Sequence, residues 1–220
     1  KAVKIAGIGS RNLVKVGVDL QFRMDPEQLR HAIVSDLEAC YKPICVVATL
    51  GTTGVTAIDP LYEIGKICSE FNVWLHVDAA YAGSALILPE YRWMIEGVEM
   101  ADSFVFNPHK WLFTNFDCSA YFVKDKHSLL QTLQLVPEYL KTQDAGRVND
   151  YCDWSVPLGR RFRALKLWFV LRSYGSEKLQ ATLRNHIALA KWLEKEITLA
   201  DDFELMAPVT LNLVCFRYKP

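Results

Sequence analysis

A lysine follows an apolar, strand-like run near the middle of the chain, where a side-chain amine could act as a nucleophile. The run covers residues 104–106 and continues into the sequence Asn-Pro-His-Lys-Trp, whose lysine is Lys110. Enclosure by His and Trp at a strand end removes water from the amine, and a neutral amine can attack a carbonyl carbon to form a Schiff base. Taken alone, such a lysine is more often a surface residue whose ammonium reaches into water.

An acid follows another apolar run earlier in the chain. Asp78 belongs to the sequence Val-Asp-Ala-Ala-Tyr-Ala-Gly, residues 77–83. A carboxylate at a buried strand end is costly to ionise unless it is paired, so we expect it to face a cation or a protonated ring nitrogen. Asp78 could instead simply cap the turn that follows it.

Lys110 and Asp78 together are the two groups that pyridoxal 5′-phosphate (PLP) chemistry requires. The lysine forms an imine with the aldehyde of the cofactor, and the acid pairs with its pyridinium nitrogen. The presence of both groups favours a catalytic interpretation of each.

The pattern around these residues predicts an α/β domain with a mainly parallel sheet. Asp25 and Pro26 are typical of a helix start, and residues 44–50 read as a strand buried on both faces. Asp59 opens a second helix, and residues 73–77 and 103–106 read as further short strands. Ligands of such sheets bind outside the carboxyl ends of the strands, where the polar clusters of this sequence lie.

The C-terminal part of the chain has a different hydrophobic pattern, with longer helical repeats. Two long helical patterns follow Gly159 and are separated by Gly175, which has the features of a C-cap. Strand-like residues 203–205 and 211–216 come next. These elements predict the start of a smaller α+β domain, with residues 1–165 in the large domain and residues 166–220 in the small one.

Composition excludes several classes of protein. The chain has 25 basic and 25 acidic residues in 220, so its summed charge offers no attraction for nucleic acid or an anionic membrane surface. No apolar run approaches the ~20 residues that span a bilayer, and no set of His, Cys and acidic residues has metal-site spacing. The six cysteines lack CxxC pairs, which favours a reduced, cytoplasmic protein.

At this point the sequence resembles the group II PLP-dependent amino-acid decarboxylases, and most of all their aromatic-L-amino-acid branch. Asn-Pro-His-Lys at residues 107–110 and the motif at residues 77–83 carry the resemblance. The aromatic branch also shares Gly-Thr-Thr at 51–53, Phe-Asp-Cys at 116–118, Pro-Glu-Tyr-Leu at 137–140 and Pro-Leu-Gly-Arg-Arg-Phe-Arg at 157–163. The resemblance implies a PLP-dependent transferase-like fold of the aspartate aminotransferase type I class and a homodimer.

The resemblance also implies a role for each residue of the site. Lys110 would carry the cofactor as a Schiff base and later move protons, and Asp78 would keep the pyridine nitrogen protonated. Ala80 would pack against the ring, and Thr53 would lie beside the cofactor. Asn107 and His109 would contact its phosphate, although polar residues at strand ends are more often only satisfied within the fold.

Two further positions bear on the reaction and its substrate. In the family the region of Tyr139 is a mobile loop whose tyrosine protonates the substrate carbon, and relatives with Phe there tend to form aldehydes. Tyr139 therefore favours simple decarboxylation to an amine, although a tyrosine anchoring a loop would occupy the same position. Gly159 stands where the family's substrate pocket carries Gly or Ser. It favours a bulky aromatic substrate such as DOPA, 5-hydroxytryptophan, tryptophan, tyrosine or phenylalanine.

Two other readings remain open. One is different PLP chemistry on the same fold, such as glutamate decarboxylation, aminotransfer or aldehyde synthesis. The other is a non-catalytic dimerisation module. In the family, part of the phosphate-binding site and a histidine that stacks on the cofactor ring belong to an N-terminal segment that would precede Lys1, so the given stretch would lack them. We expect the isolated stretch to bind PLP poorly and to have little activity.

Three sequence features that could indicate a binding site have simpler structural explanations. The pair Gly7 and Gly9 lacks the third glycine of a dinucleotide-binding loop and indicates a turn. The arginines between residues 160 and 163 are expected to pair with acids within the fold, and His76 is expected to be a packed core residue.

Overall fold

The computed structural model describes residues 2–134 and 151–220, so the predicted role of Tyr139 lies outside the described residues. The first part contains four α-helices and three parallel strands, followed by an antiparallel strand and a further α-helix. In chain order these are α1 (Ala2–Ile5), α2 (Pro26–Glu38), β1 (Cys45–Thr49), α3 (Leu61–Phe71), β2 (Trp74–Asp78), β3 (Ser103–Phe106), α4 (Pro108–Trp111), β4 (Ala120–Val123) and α5 (Lys126–Leu133). Within the described residues, three short 3₁₀ helices, and no α-helix, join the second parallel strand to the third. The second part contains α6 (Arg163–Leu199), β5 (Phe203–Leu205) and β6 (Phe216–Tyr218).

The first four strands form one sheet in the order β1-β2-β3-β4. β1, β2 and β3 are parallel, and β4 runs antiparallel to β3. Thr49, Asp78 and Val105 lie side by side across the three parallel strands. The carboxyl ends of these strands therefore meet at one edge, as the α/β prediction requires.

The sheet is buried on one face only, so the prediction of a strand buried on both faces is wrong for β1. Val46 and Ala48 are 8% and 0% exposed, whereas Val47, which points to the opposite face, is 50% exposed. The buried face packs into a core that includes Leu29 and Ile33 of α2 and Ile64 and Ile67 of α3. Nothing in the described part of the chain buries Val47. An apolar run along a strand is therefore not sufficient evidence that both faces of the strand are buried.

Two aspartates at predicted helix starts have different roles. Asp25 caps α2, since its carboxylate accepts hydrogen bonds from the amides of Glu27 and Gln28. Asp59 precedes α3 but instead accepts hydrogen bonds from the amides of Met24 and Thr49, both at 2.7 Å. Burial raises the pKa of Asp59. Asp59 thus ties the carboxyl end of β1 to the segment that leads into α2.

The C-terminal elements follow the predicted order with one displaced strand. α6 has non-helical backbone angles at Gly175, with φ 71° and ψ 165°, so the predicted break between two helices is confirmed as a kink. β5 matches the expected residues, but its partner β6 begins at Phe216, beyond most of the predicted strand at 211–216. α6 begins before residue 165 and continues past it, and the proposed division into two domains stays a prediction.

The part of α6 beyond Gly175 packs onto the large sheet domain. Leu183 and Ile187 belong to the same core as the strands. Arg184 forms a bidentate ion pair with Glu90 at 2.6 and 3.0 Å. The side-chain nitrogen Nε2 of Gln180 donates a hydrogen bond to the carbonyl of Ile87. No helix of the described residues combines the length and apolar character needed to cross a membrane.

The ion pair of Glu90 and Arg184 makes a small pH-dependent contribution to stability. The hydrogen bond that the Glu90 carboxylate accepts from Arg184 lowers the pKa of Glu90 from 4.5 to about 2. A lowered pKa means that the pair stabilises the fold above pH 4.5 and loses this contribution as the pH falls towards about 2. Glu90→Gln should therefore lower the urea midpoint at pH 7, and its difference from wild type should shrink steadily below pH 4.5.

Glu196→Gln is a suitable control because Glu196 is exposed on the same helix as Arg184. The pair is partly exposed, so added salt should also reduce the effect of Glu90→Gln. An effect of Glu90→Gln that stays constant between pH 7 and pH 3 would contradict this explanation.

Candidate active site

Asp78 is the last residue of β2 and is half-buried. Strand alternation places it on the same face as His76, while Val77 points into the core. Its Oδ1 accepts a hydrogen bond from the amide of Ala80 at 2.9 Å, so Asp78 does cap the turn that follows it. None of the described residues donates a hydrogen bond to Oδ2, which leaves that oxygen available to a ligand.

His76 lies beside this carboxylate and is satisfied within the fold. Its Nδ1 is 2.8 Å from the hydroxyl of Ser103. Burial lowers the pKa of His76, and the nearby charge of Asp78 acts in the opposite direction. The prediction of a packed core histidine is therefore wrong in part, because His76 is bonded within the fold but is half-buried on the open face of the sheet.

Lys110 lies in α4, the short helix that follows β3. Trp111 is 4% exposed and Pro108 is fully buried, so these two residues fix the helix to the core. Lys110 itself is exposed, and the predicted enclosure of its side chain is wrong for the described residues. The reason is that the buried side of α4 carries Pro108 and Trp111, whereas Lys110 projects from its other side.

Backbone hydrogen bonds join the Lys110 segment to the Asp78 segment. The amide of Ala79 donates to the carbonyl of Val105 at 2.9 Å, and the amide of Asn107 donates to the carbonyl of Ala80 at 3.1 Å. The amide of Lys110 then donates to the carbonyl of Asn107 at 2.9 Å. The structure therefore brings the acid and the amine to the same edge of the sheet through consecutive bonds.

Small residues allow the turns at this edge to approach each other closely. A Cβ on Gly83 would lie 2.4 Å from the Cβ of Phe106. A Cβ on Gly51 would lie 2.8 Å from the Cβ of Ala82, and Gly51 also has a positive φ of 82°. The glycines and Ala82 of the two motifs are thus required by the packing of the turns after β1 and β2.

The predicted phosphate-binding residues already have partners within the fold. The hydroxyl of Ser119 donates a hydrogen bond to Oδ1 of Asn107. Nδ1 of His109 lies 2.7 Å from the carbonyl oxygen of Cys118 and 3.0 Å from the backbone nitrogen of the same residue. These contacts connect α4 to the segment before β4. None of the described residues bonds to the side-chain nitrogen of Asn107 or to Nε2 of His109, so both atoms are available to a ligand. A role in phosphate binding stays a prediction.

The remaining predicted site residues in the described part of the chain are Thr53, Ala80 and Gly159, and they differ in exposure. Thr53 is exposed in the turn that follows β1, and Ala80 is half-buried directly after Asp78. Gly159 is exposed, and a Cβ placed on it would meet nothing within 4 Å. The described residues therefore form no pocket wall at Gly159, and its role in substrate selection stays a prediction.

Two of the three arginines between residues 160 and 163 pair with an acid of the fold, as predicted, whereas Nε of Arg160 donates a hydrogen bond to the hydroxyl of Ser155. Arg161 and Arg163 bind the two carboxylate oxygens of Asp117 at 2.5 and 3.0 Å. The hydrogen bond from Arg163 lowers the pKa of Asp117. The shared motifs at 116–118 and 157–163 thus contact each other and join the segment after α4 to the start of α6.

Sequence reasoning missed a stacked aromatic pair beside the site. The rings of Tyr81 and Trp111 are parallel within 3°, with their centroids 5.1 Å apart. The hydroxyl of Tyr81 donates a hydrogen bond to Oδ1 of Asn212 at 2.7 Å. The proximity of Tyr81 to Asp78 and of Trp111 to Lys110 was visible in the sequence, but their contact with each other was not.

Comparison with known proteins identifies the family. The model of the "Pyridoxal-dependent decarboxylase conserved domain" matches residues 1–219. The chain belongs to the pyridoxal-dependent decarboxylase family. Among curated relatives, it is 51% identical to phenylacetaldehyde synthase of Arabidopsis thaliana, covering 100% of this chain and 46% of that protein. It is 50% identical to aromatic-L-amino-acid decarboxylase of Cavia porcellus, covering 99% of this chain and 46% of that protein.

Solved structures of pyridoxal-dependent decarboxylases share this fold. The Oryza sativa protein named TDC, solved with PLP and tryptamine, superposes with a TM-score of 0.95 at 43% identity, over 99% of this chain and 45% of that one. The 4-hydroxyphenylacetaldehyde synthase of Rhodiola rosea gives a TM-score of 0.90 at 39% identity, over 99% of this chain and 44% of that one. The predicted fold is confirmed, and the chain spans about half the length of these relatives.

The residues present fit the cofactor of the family. An exposed primary amine on Lys110 suits an aldehyde, and the available Oδ2 of Asp78 suits a protonated ring nitrogen. Both lie at the sheet edge where Thr53, Asn107 and His109 place further polar groups. Lys110 and Asp78 would hold the cofactor from its two ends.

The close approach at Gly83 predicts a selective effect on stability. Gly83→Ala should destabilise the fold by roughly 1–3 kcal/mol, because the new methyl group would overlap Phe106. Urea unfolding monitored by circular dichroism would measure the change. Gly54→Ala is the matched control, since an added Cβ at Gly54 meets nothing within 4 Å. Equal stability of the two variants would refute the packing argument.

Proposed function

We propose that this protein catalyses the PLP-dependent decarboxylation of an aromatic L-amino acid to an amine and CO₂. The observation that carries the proposal is the hydrogen-bonded junction between the Asp78 and Lys110 segments at one sheet edge. An amine and a carboxylate held in this relation suit a cofactor that needs both. Family membership over nearly the whole chain supports the same conclusion.

The residues of the chain have distinct tasks in this proposal. Bound PLP supplies an electron-accepting ring for the pair of electrons left when the α-carboxylate departs. Lys110 holds the cofactor through its amine and, once released, transfers protons near the reacting carbon. Asp78 holds a proton on the ring nitrogen through Oδ2 while the amide of Ala80 fixes its Oδ1. Asn107 and His109 orient the phosphate with their remaining polar atoms.

The substrate and product are proposed from Tyr139 and Gly159. Tyr139 would donate the proton that completes amine formation, and Gly159 would leave room for an indole or phenol ring. The relatives named tryptophan decarboxylase and tyrosine decarboxylase, at 49% and 50% identity, support an aromatic substrate.

Aldehyde synthesis is the second candidate, and a specific observation favours it. Phenylacetaldehyde synthases of Arabidopsis thaliana and a Rosa hybrid cultivar are 51% and 49% identical to this chain, about as similar as the decarboxylases. Overall identity therefore does not separate the two products. The tyrosine at position 139 favours the amine.

We propose a homodimer and a cytoplasmic location for the same protein. α6 exposes apolar side chains that include Leu165, Trp168 and Phe169, which are 42%, 52% and 54% exposed and suit contact with another protein surface. All six cysteines are free thiols, in accord with a reducing compartment.

Lys110→Ala should abolish the visible absorbance of bound PLP and stop amine formation, because the amine that holds the cofactor is removed. Asp78→Asn should retain the absorbance yet lower kcat by about 100-fold or more, because the charge partner of the ring nitrogen is lost. Spectra and product analysis with aromatic amino acids, on the complete natural protein, would measure both effects.

Lys195→Ala is the control, since Lys195 is an exposed lysine on α6 far along the chain from the site. It should behave as wild type. An absorbance band that survives in Lys110→Ala would refute the proposed function, and glutamate as the preferred substrate would refute the aromatic assignment.

Tyr139→Phe should shift the products from amine towards aldehyde and ammonia. Without the proposed proton donor, the reacting carbon would be open to oxidation by dissolved O₂, which would be reduced to hydrogen peroxide. The ratio of amine to aldehyde and ammonia, measured by chromatography with tyrosine or tryptophan, would test the assignment. Tyr151→Phe is the control, since Tyr151 lies in a neighbouring segment and carries no proposed role. An unchanged ratio in Tyr139→Phe would contradict the role of this residue.

A further inference from the structure

We propose that Tyr81, Asn212 and Trp111 form a positioning unit that sets the Lys110 helix relative to Asp78. In this unit, the hydrogen bond that Tyr81 donates to Asn212 fixes the position of Tyr81, and Tyr81 fixes Trp111 by stacking. The inference rests on the proposed function, because it concerns the same amine and acid. It adds residues that contact neither substrate nor cofactor in that function.

The stacked pair connects the two segments that bear the reactive groups. Tyr81 follows Asp78 in the turn after β2, and Trp111 is the neighbour of Lys110 in α4. Their rings are parallel within 3° at a centroid separation of 5.1 Å. Any tilt of α4 would therefore move the Trp111 ring relative to the Tyr81 ring, which belongs to the turn after Asp78.

Both rings are also held from the C-terminal part of the chain. Tyr81 donates a hydrogen bond of 2.7 Å to Asn212, which lies between β5 and β6. Trp111 donates a hydrogen bond of 3.2 Å from Nε1 to Nδ1 of His186 in α6. The pair is thus fixed at its two polar ends by elements far away in sequence.

The chemistry of Tyr81 suits a permanent donor. Burial raises the pKa of Tyr81, and the hydrogen bond to Asn212 acts in the opposite direction to a lesser extent. The hydroxyl therefore stays protonated at neutral pH and donates to the amide oxygen of Asn212. Loss of this bond would free the ring to slide over Trp111 while the apolar contacts remain.

The arrangement of α4 explains why this freedom would reach Lys110. The helix has a single turn, and Pro108 and Trp111 provide its buried contacts. Lys110 is exposed on the same turn and depends on these neighbours for its direction. A shift of Trp111 would consequently displace the amine relative to Asp78, whose own position is set by β2.

The test uses Tyr81→Phe, Asn212→Leu and the double variant in the complete natural protein. Tyr81→Phe keeps the ring and removes only the hydroxyl, so folding is preserved. Amide hydrogen exchange of residues 107–112 is measured without cofactor, and kcat, KM and the pH midpoint of the PLP absorbance are measured with it. Tyr91→Phe is the matched control, because Tyr91 packs partly buried against the same core but belongs to the segment Pro89–Ile95, which carries neither Asp78 nor Lys110.

Each single variant should speed exchange in residues 107–112 by roughly 3- to 10-fold and leave residues 45–49 unchanged. Each should lower kcat by a similar factor with KM within about twofold, and should shift the absorbance midpoint. The double variant should match the larger single effect, since both changes remove one bond. Tyr91→Phe should change none of these quantities.

Two results would overturn the positioning role. One is faster unfolding with unchanged exchange at residues 107–112 and an unchanged absorbance midpoint, which would make the bond purely structural. The other is additive effects of the two substitutions. Absence of any PLP absorbance in wild type would instead refute the proposed function, and the exchange data would still decide whether Tyr81 and Asn212 fix α4.

Discussion

The pairing of β2 with β3 extends past the ends of both strands, and the candidate site depends on this extension. Asp78 is the last residue of β2, and the next two residues still hydrogen bond to Val105 and Asn107. The chain then turns into α4, so Lys110 follows directly from the pairing. Backbone bonds, which are short and directional, thereby set the relation between an acid and an amine from separate segments. Side-chain chemistry is added to a geometry that the sheet already supplies.

Close packing imposes the second constraint on this edge. Gly51 and Gly83 leave no room for a Cβ, and Ala82 is completely buried between the turns. The small residues of the family motifs are thus explained by the approach of neighbouring turns, while Asp78 and Lys110 supply the acid and the amine of the candidate site. This division of tasks shows how one short motif can combine a structural requirement with a chemical one.

The C-terminal part of the chain supports the site from a distance. Leu183 and Ile187 of α6 enter the core beneath the sheet. The ion pair between Arg184 and Glu90 binds the same helix to a 3₁₀ helix after β2, Pro89–Ile95. His186 and Asn212 contact the aromatic pair beside the site. Because these contacts converge on Trp111 and Tyr81, the C-terminal elements can influence the Lys110 helix without reaching the reactive groups themselves.

Local sequence determined the cap of α2 at Asp25, the strand at residues 103–106 and the helix break at Gly175, and it supplied the candidate reactive residues. These features depend on near neighbours along the chain, where residue type and spacing are sufficient. Tertiary structure alone decided that Val47 is exposed, that Asp59 binds β1 instead of capping α3, and that Lys110 projects from a helix held by Trp111. Each of these depends on which distant segment covers a given side chain, and neither periodicity nor propensity carries that information.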